Sequence, residues 1–185
     1  KAHCDSYQYL LIIIFDKHDL TVTELRNHVL RHFSAVTKNY GEYVGIGTPV
    51  DKAENLIHGW RPEEVIFLFT FDRAENADAF LNIARFDVKF RVTMDIILIP
   101  LLNVLSSCFT FPYFELGLYD VQHQQPFQDY VQKLFGLSDR HTGNIVAATK
   151  NIKSFSGARM PNYITASQWL TEEQFWLYQK EGDSR

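Results

Sequence analysis

Gly59-Trp60-Arg61-Pro62, the apolar run Val65-Ile66-Phe67-Leu68-Phe69-Thr70-Phe71 and the polar opening Asp72-Arg73-Ala74-Glu75 form one of two matching passages in this chain. The other is Gly157-Ala158-Arg159-Met160-Pro161, then Tyr163 to Leu170, then Thr171-Glu172-Glu173-Gln174. In each passage ten residues separate the proline from the residue placed to start a helix, Pro62 to Asp72 and Pro161 to Thr171. Asp72 with Glu75, and Thr171 with Gln174, each have the spacing of a capping box, in which the first side chain accepts from the backbone three residues on and the second reaches back. A repeat of about 90 residues is too long for a solenoid unit and reads as a duplicated small domain.

Working outward from the first passage, Tyr7 to Phe15 reads as a strand. Thr21 to Asn39 places Val22, Leu25, Val29, Phe33 and Val36 at helical spacing before Gly41 stops it. Glu42 to Val50 is a second strand, Asp51 to Glu64 a loop and Val65 to Phe71 a third strand. Ala74 to Ile83 supplies another helix, and Val92 to Leu98 a closing strand. The order is that of a ferredoxin-like βαββαβ unit. The second half repeats it with Tyr113 to Val121, Pro126 to Leu137, Asn144 to Lys153, Tyr163 to Trp169 and Thr171 to Lys180, and no closing strand remains after Gly182. The expected division is therefore 1–102, a linker 103–112, and 113–185. Met94 to Phe111 is broken by Asp95, Pro100, Asn103, Ser106 and Ser107, well short of the ~20 apolar residues a spanning helix needs, so it reads as a buried strand and a connection.

Leu10 to Phe15 and Val65 to Phe69 are apolar at every position. An antiparallel strand with water on one side alternates polar and apolar residues, so both faces of these strands must be covered. Helices can cover one face, and the second half of the chain is the natural cover for the other. The expected fold is α+β, with tandem ferredoxin-like units whose antiparallel sheets face each other as a pseudo-dimeric α+β barrel. Its core is either filled by side chains or holds one small ligand.

Gly59-Trp60-Arg61-Pro62, the strand ending at Phe71 and the helix with Ala74, Ala77 and Phe80 resemble the small domains of the dimeric α+β-barrel superfamily, which includes antibiotic-biosynthesis monooxygenases and haem-degrading or chlorite-dismutase-like proteins. The resemblance applies to each half separately and implies a ferredoxin-like unit that normally pairs with a second copy, here fused into one chain. The second half departs from the pattern, with Ala158 where Trp60 has its counterpart. Haem enters only through this resemblance, as a minor alternative to a protein with no cofactor.

The chain of 185 residues is 46% hydrophobic and 15% aromatic, enough to bury a core without metal or disulfide staples. A net charge of −4 offers no broad cationic field, which argues against nucleic acid and anionic membrane as partners. Cys4 and Cys108 lie far apart, without CxxC or His-rich company. They read as reduced thiols of a cytoplasmic protein. The N-terminal apolar stretch is short and lacks a small-residue cleavage site, so no secretion signal is expected.

Chemical constellations are few. His28 and His32 stand at metal-ligand spacing on one helix, but without the Glu and third ligand of a zinc site; they read as stripe-border residues first and weak metal or haem candidates second. Gly45-Ile46-Gly47 lacks the third glycine and following helix of a dinucleotide loop. Glu115 and Tyr119 share one face of a strand, as do Tyr163, Thr165, Ser167 and Trp169. If that face points inward, these groups line a pocket; if outward, they form a solvated surface. Trp60, Arg61 and Arg159 lie in the matching loops, where the guanidiniums can take an anion or form ion pairs. Glu115, Tyr119 and His123 are the candidate proton-transfer groups. The leading reading is a protein that binds a small apolar or aromatic molecule between its halves, as a monomer with an internal pseudo-dimer or a homodimer of it. A cofactor-independent oxygenase- or isomerase-type enzyme and a filled barrel acting as a protein interaction module are the alternatives.

Overall fold

The computed structural model describes residues 8–50, 60–86, 94–138 and 143–183. The expected loop over 51–59, with His58 and Gly59, lies outside them, as do Cys4 and His141. The architecture is α+β, with two antiparallel sheets of five and three strands. The chain divides into two compact units: residues 1–98 with 153–159, and 99–152 with 160–185.

The first unit contains β1 (Tyr9–Asp16), α1 (Val22–Leu30), α2 (Phe33–Lys38), β2 (Gly41–Gly47), β3 (Glu64–Phe71), α3 (Ala74–Ala84) and β4 (Asp95–Pro100, its last two residues falling in the second unit). Its sheet runs β2-β3-β1-β4 and gains a fifth strand at the β4 edge, β7 (Lys153–Ser156). The stretch expected to be one strand, Asn144 to Lys153, is therefore two, because the chain leaves the second sheet after Thr149 and pairs Lys153 to Ser156 with β4. In β1 every residue from Leu10 to Phe15 is buried, as its two-faced apolar pattern requires. The odd positions, Leu11, Ile13 and Phe15, pack with Phe67, Phe69 and Phe71 of β3 against Leu25, Val29, Val36 and Phe80 of the helices. Aromatic rings fill this space: Phe15 meets Phe67 edge-on at 5.3 Å, and Phe80 lies 5.4 Å from Phe69 and 5.6 Å from Phe71.

The helix expected over 21–39 is broken at Arg31 and His32. A continuous helix would carry Phe33 onto the buried stripe after Leu25 and Val29. The break leaves Phe33 51% exposed and brings Ala35 and Val36 inside. His28 and His32 have different neighbours. The His28 ring is hydrogen-bonded to Arg31 at 2.8 Å, whereas the His32 ring stands edge-on to Phe86 at 5.7 Å.

The second unit contains β5 (Tyr113–Tyr119), α4 (Gln124–Ser138), β6 (Asn144–Thr149), β8 (Tyr163–Trp169) and α5 (Glu172–Asp183), with its sheet in the order β5-β8-β6. The segment expected as a linker is attached to this unit. The Leu102 amide donates to Val146 O at 2.7 Å, Asn103 Nδ2 donates to Ile145 O at 2.7 Å, and Ser106 exchanges two hydrogen bonds with the buried Gln168 side chain.

The two central pairs share one register. Tyr9 opposes Phe71 and Leu11 opposes Phe69; in the second unit Tyr113 opposes Trp169 and Glu115 opposes Ser167. A bulge interrupts β2 opposite Phe69 and Leu68, and another interrupts β6 opposite Ser167 and Ala166, at the same offset from the strand end.

Of the two expected capping boxes, that at Asp72 is absent. Arg73 is the N-cap residue of α3 without a side-chain bond, and Asp72 Oδ1 instead accepts from Asn76 Nδ2 at 2.6 Å. Thr171 Oγ1 does accept from the Gln174 amide at 3.1 Å. A complete box stands at Thr21 and Glu24, one turn ahead of the buried stripe of Leu25 and Val29. We expect Thr21→Ala and Thr171→Ala each to lower stability by about 1 kcal/mol, and Asp72→Ala by clearly less. Denaturant midpoints check this, and an equal loss for Asp72→Ala contradicts the assignment.

Candidate functional site

The alternation of β5 and β8 decides which side chains meet. Glu115, Gly117 and Tyr119 of β5 oppose Ser167, Thr165 and Tyr163 of β8 on the face covered by α4 and α5. Phe127 of α4 lies 5.0 Å from the Tyr119 ring and 4.9 Å from that of Tyr163. Phe175 and Tyr178 of α5 pack on Trp169 at 5.7 and 4.5 Å. Between sheet and helices lies a pocket lined by residues of this unit alone, Glu115, Tyr119, Thr165 and Ser167 among them. These polar groups were expected to look into a space shared by both halves. They lie instead beneath the helices of their own unit, where Phe127, Val131, Phe175 and Tyr178 line the same pocket.

The Glu115 carboxylate accepts from both hydroxyls opposite it: Ser167 Oγ donates to Oε2 at 2.9 Å and Thr165 Oγ1 to Oε1 at 3.2 Å. Ser167 in turn accepts from the Trp169 indole Nε1 at 2.8 Å. An indole N–H only donates, so the single Ser167 proton is committed to Glu115. Trp169, expected as a ligand contact, is fully buried and acts through Ser167. Tyr119 is 37% exposed as a residue, but its phenol folds inward toward Thr165, to which it is hydrogen-bonded. Gly117 makes that possible: a Cβ there would fall 2.7 Å from the phenol oxygen and 2.6 Å from Thr165 Oγ1. A glycine inside a strand, midway between two candidate residues on one face, is the signal that could have been read.

No cation lines the pocket among the described residues. Burial pushes the Glu115 carboxyl from its ordinary 4.5 up to about 7, against the opposing pull of the Ser167 and Thr165 hydrogen bonds. Tyr119 is pushed up to about 12, first by burial and then by the Glu115 charge. The pocket has a volume of about 40 Å3, room for about three waters at 10–15 Å3 each.

The remaining candidates lie elsewhere. His123 is exposed just ahead of α4 and is not part of the pocket lining. Arg61 and Arg159 belong to the first unit, where they are held by carboxylates. Arg61 bridges Asp16 at 3.1 Å and Glu64 at 3.0 Å; Arg159 reaches Glu64 at 2.6 Å and Asp95 at 2.7 Å. Glu64, Asp16 and Asp95 are all nearly fully buried, so these arginines neutralise interior carboxylates in place of binding an anion. Trp60 serves the same cluster, with the Arg159 guanidinium 5.1 Å from its ring centre. Gly157, at φ +113°, takes the chain past Asp95 where any Cβ would overlap that carboxylate. Among the described residues no group of three His, Cys, Asp or Glu is placed to hold a metal ion. No helix among them is long and apolar enough to cross a membrane.

No family model and no curated protein matches this chain. Among solved structures, it is similar to an aspartate kinase from Clostridium acetobutylicum at 8% identity and a TM-score of 0.33, covering 95% of this chain and 32% of the kinase. It is also similar to an unknown protein from Galdieria sulphuraria at 13% identity and a TM-score of 0.29, covering 96% and 90% of the two chains. The chain thus spans about a third of the kinase's length.

The Glu115 environment gives stability a pH dependence with a definite sign. Between about 4.5 and about 7 the folded chain holds a proton that the unfolded chain has released. The contribution is therefore full below about 4.5 and is lost as pH rises through 7, by at most roughly 3 kcal/mol. We expect Glu115→Gln to remove this loss, so that the variant gains on the parent between pH 5 and pH 8 in urea titrations. A stability difference independent of pH contradicts the placement of the carboxyl.

Proposed function

We propose that the second unit is a small-molecule-binding unit, with its site between the sheet and α4 and α5, and that the first unit serves as its packed counterpart. One observation carries this reading. Where the first unit has Leu11, Ile13, Phe67 and Phe69 in a filled core, the same register positions of the second hold Glu115, Gly117, Thr165 and Ser167 around a pocket. A binding site needs a few oriented polar groups in an apolar wall, and Val131, Phe175 and Tyr178 supply the wall. The volume favours the polar head of a ligand over an aromatic ring, since an apolar cavity that takes up benzene measures about 150 Å3.

The ferredoxin-like reading of each unit is supported by the strand orders. The order β2-β3-β1-β4 is that of a βαββαβ sheet, and β5-β8-β6 is the same arrangement without a fourth strand. The monooxygenase-like resemblance rests on the sequence pattern alone.

A second reading, proton-transfer catalysis of the isomerase type, is favoured by the Glu115 carboxyl, which burial lifts to about 7, near the operating range of a general acid or base. Glu115 would then exchange the proton, and Tyr119 would orient the substrate.

Glu115→Leu, which installs the residue found at Leu11, separates a site from a packing accident. In a thermal-shift screen of small polar molecules we expect hits for the parent and none for Glu115→Leu, with the variant at least as stable as the parent at pH 8. Hits that bind both proteins equally place the ligand elsewhere and overturn the reading.

A further inference from the structure

Glu115 is a carboxylate beside an open pocket, and no lysine, arginine or histidine faces it from any surrounding element among the described residues. Tyr119 of β5 and Tyr178 of α5 are the titratable groups of the pocket wall; α4 contributes Phe127 and Val131, and β6 contributes Ile145 and Ala148. Tyr113 feels the Glu115 charge from the same strand, together with that of Glu172. The contrast with the first unit is instructive. There the buried Asp16, Glu64 and Asp95 are neutralised by Arg61 and Arg159 from within the chain. In the second unit two neutral hydroxyls hold the carboxylate, and no counter-charge stands against it among the described residues.

We propose that a small organic ammonium ion supplies that charge, its –NH3+ head entering the pocket to pair with Glu115 while its alkyl part lies among the aromatic side chains at the mouth. The inference rests on the reading that the pocket is a binding site and adds the chemical class of its ligand. Three observations converge on it. Each Glu115 oxygen already accepts one hydroxyl and keeps a lone-pair direction for a further donor. Ser167 is held in its donating orientation by Trp169, so the carboxylate form is the one that the hydrogen-bond chain supports. Tyr119, Phe127, Phe175 and Tyr178 are among the lining residues, and aromatic faces attract ammonium groups. The volume of about 40 Å3 suits an ammonium head. An anionic ligand would face a carboxylate with no cation among the described residues to offset it.

Binding must be linked to the protonation of Glu115. An alkylammonium stays charged throughout the neutral range, so affinity follows the ionised fraction of the carboxyl. It rises about tenfold per pH unit below the carboxyl's midpoint and levels above it.

The probes are propylammonium chloride, 1-propanol and sodium propionate, titrated into the full chain by calorimetry at about pH 5, 6, 7 and 8. We expect saturable propylammonium binding that strengthens from pH 5 to 7 and levels by pH 8, with the alcohol weaker and the carboxylate not binding. Glu115→Gln is expected to weaken propylammonium at least tenfold at pH 8, and Tyr119→Phe, which keeps the carboxylate, to retain it within about threefold, as a lost rim hydrogen bond implies. Propanol or propionate binding as tightly as the amine, amine binding independent of pH, or amine binding retained in Glu115→Gln overturns the ligand class and leaves the pocket as a site. If none of the three probes binds and the hits of the wider screen are also absent, the binding reading falls with it.

Discussion

The antiparallel register of the two central strand pairs is the constraint on which the rest of the structure depends. Side chains on a strand alternate between faces, so a register fixes not only which residues touch but which lie beneath the helices. With Tyr9 opposite Phe71 and Tyr113 opposite Trp169, the two units deliver equivalent positions to equivalent places. What occupies those places then differs. In the first unit they carry Leu11, Ile13, Phe67 and Phe69, and Phe80 of α3 closes over them. In the second they carry a carboxylate, a glycine and two hydroxyls, and a pocket remains.

The two solutions have opposite energetic character. Burying rings and aliphatic chains contributes roughly 25 cal/mol per Å2 of apolar surface removed from water, and the first unit takes this gain along the whole length of β1. The second unit forgoes part of it. It holds a half-buried carboxyl whose ionised form loses hydration, and its two hydroxyl donors only partly offset that loss. Sites where a sequence departs from the packing that its fold otherwise favours are where function is expected, because a purely structural core gains nothing from an unpaired carboxylate. The first unit shows the structural use of buried acids for comparison. Glu64 and Asp95 are matched by Arg159 from within the chain.

The strands and helices around the repeated passage were legible because their signals are local. Glu64 to Phe71 and Tyr163 to Trp169 are uninterrupted β-rich runs bounded by prolines and helix starts, and they form β3 and β8. The polar members of the pocket were legible as a set, since Glu115, Tyr119, Thr165 and Ser167 interrupt strands that are otherwise apolar. What the sequence could not convey was which layer they face. Alternation groups residues by face but is silent on whether helices or another sheet lie over that face, and this depends on the path of the connections. The departure of Lys153 to Ser156 to the first sheet was hidden for a related reason: edge pairing uses backbone groups that every residue carries. The break at Arg31 and His32 leaves Phe33 outside the core although helical spacing groups it with Leu25, Val29 and Val36, and spacing alone carries no signal for such a break. Asp72 misled because a side chain with the right spacing for a cap bonded Asn76 instead.

The central claim is that the second unit encloses a carboxyl in a place that its sister unit fills with hydrocarbon. Carbon-13 NMR of the glutamate side-chain carboxyls, followed from pH 3 to pH 9 with Glu115→Gln to assign the resonance, measures this directly. The account predicts one glutamate titrating near 7, well above the ordinary value of 4.5, and missing from the variant. A Glu115 midpoint at the ordinary value would mean a carboxyl open to water, and it would contradict both the enclosure and the site built on it.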